Sequence, residues 1–305
     1  MKRLLVTGAS GFLGWNICHE AIKEWQVFGT VLTHPVQRDG ITTVQVDLTD
    51  FRALKKMFHN VRPDAVIHTA AATSPEYCQN NKIETQEINA RTPVHIAGLC
   101  ADKNIPFVFT SSDLVFDGLH APYREEDPVS PVNYYGEQKA SAEEGVVKTY
   151  PAAAVCRMPL MFGDPGPAAS NFYQAMIDAL RQGKELKLFV DEFRTPVSGK
   201  TAARGIFIAM DKVHGRIHLG GNERISRYNF GLLLMDTLGI HEASLIRCLQ
   251  KDVIMAAARA PDVSLDSAKA FALGFRPPAL REELRGLLFA HQGIIRHHVM
   301  NEGEG

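Results

Sequence analysis

Short β-branched runs alternate with longer helical patterns through the first half of the chain, and this alternation leaves few folds open. Leu4-Leu5-Val6, Val27 to Leu32, Thr43 to Val46, Ala65-Val66-Ile67 and Phe107-Val108-Phe109 read as buried strands. Helical stretches lie around Leu13–Lys23, Phe51–Phe58 and Thr85–Asp102. A further unit joins a helix near Tyr134–Lys148 to a strand at Ala153–Cys156. Parallel strands need a crossover between them, and a helix is the usual one. The expected architecture is therefore α/β, a doubly wound parallel sheet of Rossmann type with helices on both faces.

After about residue 160 the alternation loosens. Pro159, Pro165 and Pro167, with Gly163 and Gly166, mark a loop-rich passage. Helical patterns return around Asn171–Arg181, Ala202–Met210 and Tyr228–Leu238, and Arg276-Pro277-Pro278 precedes a last one near Leu280–Phe289. Residues 161–305 are expected to form a smaller lobe, with some segments returning to the first domain. No internal repeat is visible.

With 33 basic against 34 acidic residues the net charge is −1, so nothing electrostatic points to nucleic acid. Hydrophobic residues reach 45%, enough for a folded core rather than disorder. The five cysteines are scattered, without a C-x-x-C pair, which argues against a disulfide framework or a zinc site. The start, Met1 to Val6, imitates a signal peptide, but glycines interrupt it, and no apolar run approaches the roughly 18 residues of a membrane span. A cytoplasmic protein without a membrane partner is expected. His297-His298 reads as a solvated tail, and no metal site is expected.

Thr7-Gly8-Ala9-Ser10-Gly11-Phe12-Leu13-Gly14 follows the first strand and opens a helix. Its spacing is G-x-x-G-x-x-G. Glycines there permit a tight turn and let backbone N–H groups approach a pyrophosphate, whose charge suits a helix N-terminus. Gly8, Ser10, Gly11, Phe12, Leu13 and Gly14 are thus cofactor-binding candidates, and residues 1–160 read as an NAD(P)-binding domain. At the end of the second strand an acid would bond a ribose 2′-hydroxyl and repel a 2′-phosphate. None occurs from Phe28 to Val36; Thr33 and His34 hold the position, with Arg38 nearby. NADP is favoured, with NAD still possible. Asp47 and Leu48 are placed to face the adenine, although Asp47 would also serve as a helix N-cap. Ala70, Ala71 and Ala72 are small enough for close cofactor approach or simply for dense packing.

The most specific chemical signal is Tyr135-Gly136-Glu137-Gln138-Lys139. Tyrosine and lysine at i and i+4 share one helix face. An ammonium beside a phenol favours the phenolate, so the lysine is expected to lower the tyrosine pKa and make it a usable acid or base. Ser112 follows the fifth strand at its carboxyl end, where open α/β sheets hold ligands.

Together these residues resemble the extended short-chain dehydrogenase/reductases. The matching elements are Thr7–Gly14, Val46-Asp47-Leu48, His68-Thr69-Ala70-Ala71, Ser111-Ser112-Asp113, Tyr135-x-x-x-Lys139 and Arg157-Met158-Pro159. Ser111 to Gly118 resembles the dTDP-4-dehydrorhamnose reductase branch. Pro122 to Asp127 is similar to that branch and to its relative, the regulatory β subunit of methionine adenosyltransferase. Arg194-Thr195-Pro196, Arg259-Ala260-Pro261-Asp262 and Leu265-Asp266 echo the second half of the family. Leu114 and Leu160 depart from it, standing where the reductases usually carry tyrosine and often tryptophan.

The resemblance implies a nicotinamide cofactor with Ser112, Tyr135 and Lys139 as the catalytic set. Lys139 would also hold the nicotinamide ribose, and Pro159 would border the nicotinamide. Asp113 and Arg194 would contact the substrate, with Arg194 either pairing with its diphosphate or serving as a structural ion pair. The leading function is NADPH-dependent reduction of a keto group on a nucleotide-linked deoxysugar. An epimerase or dehydratase with tightly bound NAD is one alternative, and a cofactor-binding regulatory subunit with little turnover is another. The oligomer is left open, a homodimer included.

Overall fold

The computed structural model describes residues 1–33, 38–240 and 244–288. His34, the end of the last helix at Phe289 and the His297-His298 pair lie outside these residues. The first strand, β1 (Arg3–Thr7), is buried from Leu4 through Thr7, as befits a strand covered on both faces. The crossover helices α1 (Phe12–Ala21), α2 (Phe51–Val61) and α5 (Thr92–Ala101) link it to β2 (Gln26–Val31), β3 (Ile41–Gln45), β4 (Ala65–His68) and β5 (Phe107–Ser112). Two short helices, α3 (Pro75–Asn80) and α4 (Lys82–Gln86), precede α5, while α6 (Tyr134–Thr149) leads into β6 (Ala154–Met158).

Beyond β6 come β7 (Met161–Phe162), α7 (Phe172–Arg181), β8 (Leu186–Phe189), β9 (Phe193–Arg194), β10 (Val197–Ser198) and α8 (Gly199–Lys212). The chain then re-enters the main sheet as β11 (Gly215–His218), in parallel register with β6 from Gly215↔Ala154 to His218↔Arg157. Last come β12 (Ile225–Ser226), α9 (Arg227–Leu238), β13 (Leu245–Cys248) and α10 (Ala268–Ala272), with residues 280–288 helical.

The main sheet is parallel throughout, in the order β11-β6-β5-β4-β1-β2-β3. The order reverses between β1 and β4, which opens a crevice at the carboxyl ends of the strands. One face buries Leu13 and Ile17 of α1 against Val6 and against Ala202 and Ile206 of α8. The other packs Leu54, Phe58, Ile96 and Val146 around Leu5 and Phe109. A separate core joins Tyr173, Ile177, Phe230, Leu234 and Leu284, and it builds the lobe. The doubly wound fold expected from the strand–helix alternation is the one observed. The second half contributes β11 to this sheet, a strand that the sequence reading did not identify.

Side-chain caps fix the starts of α2, α6 and α8, among others. Asp50 accepts from Arg52 N and Ala53 N, Asn133 from Gly136 N, and Ser198 from Thr201 N. Asp50, not Asp47, therefore caps α2; Asp47 instead accepts from Thr49 N and Thr49 Oγ1. Among the described residues, no helix is long and apolar enough to cross a membrane.

Candidate active site

The crevice holds a cavity of about 920 Å³. At one end lies the glycine turn. Gly8 takes a φ of +71°, and a Cβ on Gly14 would sit 2.1 Å from the Gly8 carbonyl oxygen, so the helix start lies directly on the turn. The first turn of α1 has no capping side chain and no acidic residue. Among the described residues its N–H donors have no side-chain acceptor, which fits the pyrophosphate of a dinucleotide.

The end of β4 is held close to this turn by hydrogen bonds. Thr7 Oγ1 accepts from Thr69 N at 3.1 Å and Ala70 N at 3.3 Å, and it bonds His68 Nδ1 at 2.6 Å. Burial and the Lys139 charge bring the His68 imidazole down to about 3, so the ring is neutral and Nδ1 accepts the threonine proton. Ala72 is clamped by Asn89, whose Oδ1 accepts from Ala72 N at 2.9 Å and whose Nδ2 donates to Ala72 O at 3.0 Å. Asn89 also donates to Gln138 Oε1 at 2.8 Å, tying this turn to α6.

Ser112, Tyr135 and Lys139 form the middle of the cavity wall, all buried. Gly136 brings them together: a Cβ there would lie 2.2 Å from the Leu114 carbonyl oxygen, so only glycine lets α6 approach the turn after β5. Lys139 Nζ donates to Thr110 O at 2.9 Å and lies 5.9 Å from the Tyr135 ring centroid. Burial brings the lysine down to about 8, with Glu143 and Cys78 opposing. Burial also pushes the Tyr135 phenol up, with Asp113 and Cys78 adding and Ser112 opposing. This corrects the expectation that Lys139 lowers the tyrosine pKa: the shift is upward, and burial is its main cause. Ser112 Oγ donates to Asp113 Oδ1 at 3.2 Å and accepts from Leu114 N.

The far wall is charged. Asp113 Oδ2 is buried without a hydrogen bond and lies 3.5 Å from Arg194 Nε. Burial raises this carboxyl to about 6, with Arg194 and Ser112 opposing and Glu192 adding. Beyond it, Glu192 faces three guanidiniums: Arg259 at 3.2 Å, Arg194 at 3.6 Å and Arg227 at 3.9 Å.

Gly8, Ser10, Gly11, Phe12, Leu13, Gly14, Asp47, Leu48, Ala70, Ala71, Ala72 and Pro159 line the cavity, along with the catalytic candidates, Asp113 and Arg194. Leu32, rather than Thr33, lines it at the end of β2. Leu114 and Leu160, the two departures from the reductase pattern, border the same space. Sequence reasoning missed Asn89, Glu192, Arg227 and Arg259 as site residues. For Asn89 a signal existed: Pro93, which has no N–H to give the Asn89 carbonyl, sits inside the long helix read over Thr85–Asp102, and the helix takes a π-helical turn over Glu87–Arg91 just before it. The other three are scattered through the lobe; Arg259 belongs to the Arg259-Ala260-Pro261-Asp262 stretch but was given no role there, and Glu192 and Arg227 carry no local pattern.

The sheet order, the glycine turn and the serine–tyrosine–lysine group define an extended short-chain dehydrogenase/reductase, an NAD(P)-dependent oxidoreductase by class. The model of the family described as RmlD substrate binding domain matches residues 1–292, and the chain belongs to that family. It is 28% identical over 282 residues to methionine adenosyltransferase 2 subunit beta of Pongo abelii, covering 90% of this chain and 83% of that protein. It is also 28% identical over 289 residues to the Haloferax volcanii protein named "Probable low-salt glycan biosynthesis reductase Agl14", covering 92% and 96%. Among solved structures, a dTDP-4-dehydrorhamnose reductase from Clostridium acetobutylicum matches with a TM-score of 0.82 at 26% identity, covering 95% of this chain and 99% of that one.

Proposed function

We infer that the protein is an NADPH-dependent reductase of a keto group on a nucleotide-linked deoxysugar. One observation carries this reading: a single cavity joins the glycine turn, the Ser112–Tyr135–Lys139 group and a wall of three arginines. The turn suits a dinucleotide, the middle suits carbonyl chemistry, and the arginines suit a substrate diphosphate. NADPH is preferred over NADH in this reading because no acid stands between Phe28 and Val36.

Gly8 to Gly14 would hold the pyrophosphate, Asp47 and Leu48 the adenine end, and Pro159 the nicotinamide side. Lys139 uses one donor on Thr110 O and keeps two for the ribose hydroxyls. When bound, the dinucleotide supplies the hydride for the carbonyl carbon. Tyr135 gives its phenolic proton to the ketone oxygen, and its raised pKa keeps that proton available at neutral pH. Ser112 must turn its hydroxyl from Asp113 to the carbonyl, which orients and polarises it.

Tyr135→Phe keeps the ring and removes the proton. Turnover of a nucleotide-sugar ketone, followed by NADPH loss, should fall by about 10²–10⁴-fold with NADPH affinity nearly intact. Near-native turnover in that variant would refute the mechanism.

A second reading has its own support, the 28% identity to a methionine adenosyltransferase subunit. A regulatory subunit would form a stoichiometric complex with a synthetase-like partner and would oxidise no NADPH with any ketone in the screen.

A further inference from the structure

We propose that Glu192 is an internal counter-anion of the three-arginine wall, stabilising it before a substrate binds and limiting how tightly a diphosphate is then held. The inference rests on the reading that this wall takes a nucleoside diphosphate, and it goes beyond that reading in assigning a role to a carboxylate.

Glu192 lies just before β9 and is only 4% exposed. Its Oε2 pairs with Arg259 Nη1, while Oε1 is shared between Arg194 Nη2 and Arg227 Nε. The backbone adds to this, because Arg227 N donates to Glu192 O at 3.1 Å. The three arginines are not equally supported. Arg194 also reaches Asp113, Phe193 O and Ala260 O, and Arg259 also reaches Glu76. For Arg227, among the described residues, Glu192 is the sole ion-pair partner. Its guanidinium stacks 3.9 Å from the Phe172 ring centroid, and its Nη1 is buried with no hydrogen-bond partner. Arg227 lines the cavity, and among the described residues this donor has no acceptor.

Charge decides the direction of the effect. Glu192 is itself buried and faces three guanidiniums, of which Arg194 is buried, Arg227 partly buried and Arg259 about a third exposed. Uncompensated buried charge is costly, so Glu192 stabilises the protein while no anion is bound. A diphosphate brings at least two negative charges of its own. Once it sits on the arginines, the Glu192 carboxylate is a like-charged neighbour that repels it. Removing that carboxylate should therefore destabilise the free protein and tighten the complex. A glutamate that merely held the arginines in position would do the reverse to affinity.

The test titrates inorganic pyrophosphate into NADPH-saturated protein by calorimetry, so that the glycine turn is already occupied. Glu192→Gln should lower the melting temperature without pyrophosphate and tighten its binding by about tenfold. Arg227→Ala should weaken that binding by at least as much. Glu76→Gln removes a half-exposed carboxylate from Arg259 alone and should tighten binding by about twofold. It is the deciding variant if Glu192→Gln does not fold. Unchanged or weaker binding in the folded variant overturns the proposal, and so does a wild-type protein that binds no pyrophosphate once NADPH is bound. Failure of the reductase reading would look different: no NADPH oxidation with any nucleotide-sugar ketone, whatever the titration gives.

Discussion

In the proposed reading, the two ends of the cavity would hold anions by opposite means. The Rossmann end offers backbone N–H groups at a glycine turn, with no charged side chain in the first turn of α1. The lobe end offers three guanidiniums, gathered from β9, α9 and the loop before residue 260 around a single carboxylate. A backbone receptor depends on close contact and fails outright when a side chain intrudes. A side-chain receptor is adjustable, because each arginine contributes separately and each can be traded against a counter-charge.

The sharpest way to break this comparison is Gly14→Ala. The new Cβ would meet Gly8 O at 2.1 Å and Gly8 C at 2.8 Å, both backbone atoms that cannot swing aside. Shifting the turn costs roughly 1–3 kcal/mol or more. NADPH affinity should fall more than a hundredfold by fluorescence titration, with turnover falling alongside it. Affinity within threefold of wild type would show that the turn is not the pyrophosphate site.

Arg227→Ala tests the other end and should give a graded result. The Michaelis constant for a nucleotide-sugar ketone should rise by about ten- to thirtyfold, with kcat and NADPH affinity changed less than threefold. A parallel loss of NADPH affinity would erase the distinction between the two ends.

The same contrast explains what could be read from the sequence. The glycine turn, the Tyr135–Lys139 pair and the strand alternation are local patterns, with spacing set by a turn, a helix face or a crossover. Even Gly136, which admits the Leu114 carbonyl, lies inside the recognisable motif. The arginine wall has no such spacing: Glu192, Arg194, Arg227 and Arg259 meet only because β12 pairs with β9 in the register Ile225↔Arg194 and Phe193 bridges Asp262. The raised Tyr135 pKa was equally hidden, because i, i+4 spacing reports a shared face and says nothing of desolvation. Strand β11 was missed because Gly215-Arg216-Ile217-His218 lacks the apolar run of its neighbours.

Lys139→Met separates function from stability within the middle of the cavity. The lysine's folded pKa of about 8 lies below its ordinary 10.5, so the buried ammonium costs stability fully below pH 8. That cost fades as pH rises from 8 to 10.5. Methionine removes it and forfeits one hydrogen bond to Thr110 O. Turnover should be lost while unfolding free energy at pH 7 rises by about 1–2 kcal/mol, and the gain should shrink toward pH 10. A destabilised Lys139→Met protein at pH 7 would show that the ammonium is already well compensated by Glu143 and its neighbours.

The effect at Asp113, where the charged wall meets Ser112, is read in stability. Its folded pKa of about 6 lies above the ordinary 3.8, so between those values the native state holds a proton that the unfolded chain has released. The stability contributed by this carboxyl is therefore greatest at or below pH 4. It declines as pH rises to about 6 and is level above that. Asparagine preserves the shape and a partner for Ser112 but does not titrate. The unfolding free energy of Asp113→Asn relative to wild type should improve by roughly 2–3 kcal/mol between pH 4 and pH 7. Urea denaturation at the two pH values measures the difference. An offset that stays constant would mean that Arg194, 3.5 Å away, cancels the desolvation of Asp113 completely. The carboxylate would then already be ionised at pH 4, and the lobe end of the cavity would be as pH-insensitive as the glycine end.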